Sequence, residues 1–181
     1  MILFFGPAGA GKSVQGQLLA EEKGWGWISS GQLLRETANP EILAELQKGN
    51  LISSDKMYDL FSEALAEPTD IHRLILDGFP RKREQAEWFV GHLEGGAKDI
   101  DMAIVMEVAR EELLKRIEAR GRSDDTPEAV DARLKIYHAE VDPILDYLAS
   151  QSIPVAQING VGGIETIHKK IMEAVNNTKV A

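Results

Sequence analysis

Short, wholly apolar runs alternate along the chain with longer stretches whose apolar residues recur every three or four positions. Residues 2–5 (Ile-Leu-Phe-Phe) form the first run and stop at Gly6, the pattern of a strand buried on both faces. Residues 13–23 then read as a helix, and 25–28 as a second strand. Residues 32–37 continue as a helix that Pro40 ends, with further helices over 41–47 and 56–65. Residues 73–76 (Arg-Leu-Ile-Leu) are the next strand, closed by Asp77-Gly78. A helix over 84–93, a strand over 102–108 and a helix over 111–120 follow. Thr126-Pro127-Glu128 carries good start chemistry, a capping hydroxyl with proline in the first turn. From there Val130, Leu134, Tyr137, Val141, Ile144 and Leu148 mark a long amphipathic helix, which Pro143 is expected to bend. A strand over 153–158 and a helix over 164–175 complete the chain. Such strand–helix alternation implies a layered α/β fold on a mainly parallel sheet.

Composition narrows what that fold can do. The 181 residues suit one domain, and 44% hydrophobic residues suffice for a buried core. A net charge of −9 argues against a nucleic-acid or anionic-membrane partner held by bulk electrostatics. Any phosphate must therefore meet locally placed Lys, Arg and backbone N–H groups. There is no cysteine, so disulfides and thiolate metal sites are excluded, in keeping with a cytoplasmic protein. The apolar start is too short for a signal sequence, and no run approaches the roughly 18 apolar residues of a membrane span.

One motif carries most of the chemistry. Gly6-Pro7-Ala8-Gly9-Ala10-Gly11-Lys12-Ser13 satisfies G-x-x-x-x-G-K-[ST], a P-loop, between an expected strand and an expected helix. Its glycines let successive N–H groups converge on phosphate oxygens, and the helix adds the positive end of its dipole. Lys12 supplies a mobile point charge for the β- and γ-phosphates, and the Ser13 hydroxyl can ligate magnesium. Asp77, at the end of a second apolar strand, can hold that metal through its water shell.

With Gly6–Ser13, the segments Ile28-Ser29-Ser30-Gly31-Gln32-Leu33-Leu34-Arg35, Asp77-Gly78-Phe79-Pro80-Arg81 with Gln85, and Gly121-Arg122-Ser123-Asp124-Asp125-Thr126-Pro127 with Arg133 resemble the adenylate kinase family in that family's order. The resemblance covers nearly the whole chain. It implies a three-layer α/β/α P-loop fold on a five-stranded parallel sheet, with core segments 1–29, 61–115 and 126–181. It also implies a monophosphate-binding insert at about 30–60 and a short lid at about 116–125. The implied reaction is reversible, magnesium-dependent transfer of the ATP γ-phosphoryl group to AMP, giving two ADP, by a monomer. Gly9, Ala10, Gly11, Lys12, Ser13, Val14, Arg116 and Arg120 would serve ATP, with Arg116 stacking on its adenine. Ser30, Arg35, Ile52, Gly78, Arg81, Gln85, Arg122 and Arg133 would serve AMP, with Arg35 and Arg81 on its phosphate and Gln85 on its base. Lys12, Arg81, Arg120, Arg122 and Arg133 would surround the transferring group, while Asp124 and Asp125 pair with lid arginines on closure.

Several positions depart from the family's pattern. Ser13-Val14 stands where Gly-Thr is usual, Asn50 where lysine is common, and Gln32 replaces an aspartate near the metal's water shell, which bears on turnover rate. A uridylate/cytidylate kinase shares the loop and the arginines, but Ser30 with Gln85 favours adenine. The zinc-bearing long lid of some relatives is excluded by the absence of cysteine. A weakly active nucleotide-binding module and a P-loop hydrolase are the other readings. His72, His92, His138 and His168 lack paired-ligand spacing, Trp25, Trp27 and Trp88 read as packing, and Gly160-Val161-Gly162-Gly163 reads equally as a loop or as a neighbour of the ATP base.

Overall fold

The apolar runs become the strands of one sheet, and the periodic stretches become its helical cover. The structure is a computed structural model that describes every residue except Ala38, 67–69, Asp124 and 179–181. The strands are β1 (Ile2–Phe5), β2 (Gly26–Ser29), β3 (Leu74–Asp77), β4 (Met102–Glu107) and β5 (Val155–Asn159). They lie in the order β2-β3-β1-β4-β5 and every pairing is parallel, with Ile2 opposite Ile75 on one side and Met102 on the other. Parallel neighbours need crossovers, and helices supply them. These are α1 (Lys12–Lys23), α2 (Ser30–Glu36), α3 (Pro40–Lys48), α4 (Ser54–Ala66), α5 (Arg83–His92), α6 (Arg110–Arg120), α7 (Pro127–Ser150) and α8 (Ile164–Asn177).

The two-residue period of a strand divides the core in two. Leu3, Phe5, Leu74, Leu76, Ala103 and Val105 face one layer, where Phe79, Phe89, Ile144 and Leu148 pack. Ile2, Phe4, Ile75, Met102, Ile104 and Met106 face the other, against Leu19, Ile117, Leu134 and Ile171. β1 and β3 are wholly buried, which is why their sequences are apolar without alternation. Each such Leu, Ile or Phe contributes about 1.5–3 kcal/mol through burial. The helix after β1 packs on one face and α5, after β3, on the other, so a crevice opens at the carboxyl ends of these adjacent strands.

Differences from the sequence expectation are local. A 3₁₀ turn at Ile71–Arg73, with the Asp70 side chain accepting from the His72 N–H at 3.0 Å, delays β3 to Leu74. The final strand starts at Val155 because the Ser152 and Ile153 N–H groups are tied back to Ala149 and Leu148. The insert boundary placed at residue 60 falls inside the continuous helix α4. Helix α7 starts as expected, with the Thr126 hydroxyl accepting from the Ala129 N–H at 3.2 Å and Pro127 in its first turn. It continues through Pro143 as one element. Leu76→Ala, at a fully buried position, should cost about 2–5 kcal/mol. Thr126→Ala should cost about 1 kcal/mol. Urea unfolding midpoints at unchanged slope check both.

Candidate active site

The carboxyl ends of β1 and β3 deliver two loops to one cleft of about 430 Å³. After β1 comes the P-loop. Gly9 has a φ of +83°, and a Cβ there would lie 2.9 Å from Ile117 Cγ1 and 3.0 Å from the Leu113 carbonyl. Glycine therefore lets the loop sit directly on α6. The Lys12 ammonium folds back to donate to the carbonyls of Gly6 at 2.7 Å and Pro7 at 3.0 Å. Removal from bulk water pushes its pKa down from 10.5 to about 8; Arg81, Arg120 and Arg122 add repulsion, and Asp77 partly opposes them. The Ser13 hydroxyl donates to Asp77 Oδ2 at 2.5 Å, joining the P-loop to the end of β3.

After β3, Gly78 turns with a φ of +76°, and a Cβ there would press on Ser30 Oγ at 2.9 Å. That space is used: Ser30 Oγ donates to the Gly78 carbonyl at 2.6 Å and accepts from Arg81 Nη2 at 3.1 Å. Arg81 Nε donates to the same carbonyl at 2.8 Å, so its guanidinium is fixed. Burial lowers the pKa of Arg81; Asp77 opposes this, while Arg133 and Arg35 reinforce it. Gln85, almost fully buried, accepts from the Arg81 N–H at 2.9 Å and donates to Ser54 Oγ at 3.4 Å.

The far wall comes from α6, α7 and the segment between them. Asp125 accepts from Arg120 through both oxygens, at 2.9 and 2.7 Å, and from Arg133 Nη1 at 2.9 Å. Arg133 Nη2 donates to the Leu46 carbonyl at 3.1 Å, linking α7 to the end of α3. Arg116 is held by Glu112 at 2.8 Å and by the Gly160 carbonyl at 3.0 Å. Asp125 thus pairs with Arg120 and Arg133, while Asp124, the other aspartate expected to pair with lid arginines on closure, lies outside the described residues.

Gly9, Gly11, Lys12, Ser13, Val14, Arg35, Asp77, Gly78, Arg81, Arg116, Arg120, Arg122 and Arg133 all line this one cleft. Ala10 does not; its side chain is buried in the core. Ser30 stands just behind Arg81. Ile52 and Gln85 line a separate recess of about 10 Å³, room for a single water at most, which shares Leu46, Asn50, Leu51 and Arg81 with the main cleft. Sequence reasoning missed the α7 face formed by Ile136, Tyr137, Glu140, Val141 and Ile144, although its helical spacing continues from Arg133. It also missed the carbonyl partners of the cations, which no side-chain pattern reveals.

The lining brings seven cationic side chains together with two carboxylates, Asp77 and Glu140, in a protein of net charge −9. That imbalance, beside the glycine-rich loop, suits a ligand rich in phosphate.

Known proteins place the chain. The family model for adenylate kinase matches residues 4–153. An adenylate kinase of Mycolicibacterium paratuberculosis is 35% identical over 180 residues, covering 96% of this chain and 98% of that one. One from Parabacteroides distasonis is 36% identical over 188 residues, covering 98% of each, and one from Mycobacterium tuberculosis is 34% identical over 180. With the P-loop, the Asp77–Arg81 turn and Arg116, Arg120 and Arg122 meeting in one cleft, the chain belongs to the adenylate kinase family.

Proposed function

We propose that this protein transfers the γ-phosphoryl group of ATP to AMP, reversibly and with magnesium, giving two ADP. The observation that carries the reading is the single cleft in which Lys12, Arg35, Arg81, Arg116, Arg120, Arg122 and Arg133 converge on the P-loop. A hydrolase needs the loop but not a second anion pocket built from Arg35, Arg81 and the Ser30–Gly78 turn.

In this reading ATP lies along Gly9–Val14, with Arg116 against its base and Arg120 beside its phosphates. The Ala10 contribution is its backbone, since its side chain faces the core. Arg35, Arg81 and Arg133 take the AMP phosphate, and Gln85, Ile52 and Ser30 define the base pocket once the recess widens. An oxygen of the AMP phosphate attacks the γ-phosphorus as its bond to the β–γ bridging oxygen breaks. With its second pKa near 6, that phosphate is largely ionised at neutral pH, so no side chain has to take a proton. The transition state is loose, with charge spread over equatorial oxygens, and the planar guanidinium groups of Arg120, Arg122 and Arg133 suit it. Lys12 leaves the Gly6 and Pro7 carbonyls for the β- and γ-phosphates as they arrive.

Ser13 Oγ and the Asp77 carboxylate put hard oxygen ligands at the loop, chemistry that fits magnesium carried in with phosphates. When bound, the ion would neutralise negative charge on the phosphates. Among the described residues no group of three or more His, Asp or Glu side chains could hold a metal without a nucleotide. No described helix is long and apolar enough to cross a membrane. We place the protein in the cytoplasm as a monomer, acting on free nucleotides.

A coupled ADP assay should show rapid product only with ATP, magnesium and AMP together, and weaker turnover with CMP, UMP or GMP. ATP loss without AMP would point to a hydrolase, and binding without turnover to an inert module. Lys12→Ala should lower kcat by about a hundredfold or more while the circular dichroism spectrum is kept. Half-activity would remove Lys12 from the phosphates.

The lowered Lys12 pKa gives a pH signature. Phosphates favour the ammonium form, so ATP binding should take up protons at about pH 8.5 and far fewer at about pH 7, and affinity should fall as pH rises past about 8. In the ligand-free protein the sign reverses. The unfolded chain holds this proton more tightly, so the group adds stability as pH climbs from about 8 to 10.5. Calorimetry in buffers of different ionisation enthalpy measures the uptake; equal uptake at both pH values would contradict it.

A further inference from the structure

We propose that Glu112 is a positioning residue for the donor nucleotide: with the Gly160 carbonyl it braces the Arg116 guanidinium in one orientation beside the P-loop. This rests on the reading that Arg116 faces the base of ATP.

Each edge of that guanidinium is set by a different segment. Nε donates to Glu112 Oε1 at 2.8 Å, one turn earlier on α6. Nη2 donates to the Gly160 carbonyl at 3.0 Å, in the loop after β5. Nη1 lies 3.9 Å from where a Cβ of Gly11 would sit, over the P-loop. Hydrogen bonds along the edges do not use the flat faces, and a guanidinium face is what stacks on an aromatic base.

The carbonyl is itself fixed. The Gly160 N–H donates to the Glu107 carbonyl at 2.8 Å at the end of β4. A Cβ on Gly160 would lie 2.8 Å from Val108 Cγ2, so glycine is needed for this backbone to come so close. Of the Gly160–Gly163 cluster, this first residue therefore has a definite task. Glu112 is the one side chain in the brace, and both partners are partly exposed, at 35% for Glu112 and 25% for Arg116. Without it the long Arg116 side chain regains rotamers that must be lost again when ATP binds. An ordinary helix-surface pair would stabilise α6 a little and leave substrate kinetics alone. The two roles are separable.

The test is steady-state kinetics of Glu112→Leu, Glu112→Gln, Arg116→Leu and the Glu112→Leu/Arg116→Leu double variant, varying ATP and AMP separately. Glu112→Leu should raise KM for ATP about threefold to tenfold, the cost of ordering one long side chain. Its kcat and its KM for AMP should stay within about twofold of the parent. Glu112→Gln, whose amide oxygen still accepts, should recover most of the loss. The double variant should match Arg116→Leu, because Glu112 acts only through Arg116. Unchanged KM for ATP in Glu112→Leu where Arg116→Leu raises it, an equal rise in KM for AMP, or additive losses in the double variant would each overturn the brace alone. Arg116→Leu with no effect on KM for ATP would remove the donor-side reading of Arg116, and the brace with it.

Discussion

Holding many positive charges in one place before any phosphate arrives is the constraint on which this structure turns. Two unit charges 4 Å apart near a protein surface repel by about 4 kcal/mol. The cleft gathers seven cations, and the protein supplies acceptors for them. It does so mainly with main-chain carbonyls. Those of Gly6 and Pro7 receive Lys12, that of Gly78 receives Arg81, that of Leu46 receives Arg133 and that of Gly160 receives Arg116. Carboxylates add to these, with Asp125 shared between Arg120 and Arg133 and Glu112 on Arg116. A carbonyl is neutral and offers only the partial negative charge on its oxygen. It holds a cation in place yet yields it to a phosphate, which a second full negative charge at every position would not.

The same constraint explains why the fold was legible in the sequence and the resting site was not. Strands buried on both faces must be apolar throughout, so β1, β3 and β4 stood out as runs. The Thr126–Pro127 start of α7 and the Gly6–Ser13 loop are local patterns with a local cause. The partners of the cations are long-range and mostly backbone: Leu46 lies 87 residues from Arg133, and Gly160 lies 44 from Arg116. A carbonyl exists at every residue, so nothing in the sequence marks the ones that are used. Gln85 is the instructive case. Its buried amide suits recognition of a base, yet its oxygen is committed to the Arg81 N–H, a contact that only the turn after β3 creates.

Gln32 shows what the missing aspartate became. Its amide donates to Glu36 at 2.7 Å on the exposed side of α2, and neither residue lines the cleft. The carboxylate absent at this position is thus not restored by its neighbour. Asp77, bonded to Ser13, is left as the acid at the P-loop, since Glu140 belongs to the α7 wall.

Arg133 ties two segments of the cleft wall together. It holds Asp125, which also holds Arg120, and it holds the last turn of α3 through Leu46. A phosphate that drew Arg133 inward would have to break or lengthen one of these bonds, and the segment at the other end would feel it. The exchange costs little, since a charge-assisted bond to phosphate replaces one to carboxylate or carbonyl. It is also directional: the replacement bonds exist only when nucleotide is present, so the rearrangement is tied to occupancy. Such a coupling would need no long pathway, for a single guanidinium touches Asp125, the end of α3 and the cleft at once.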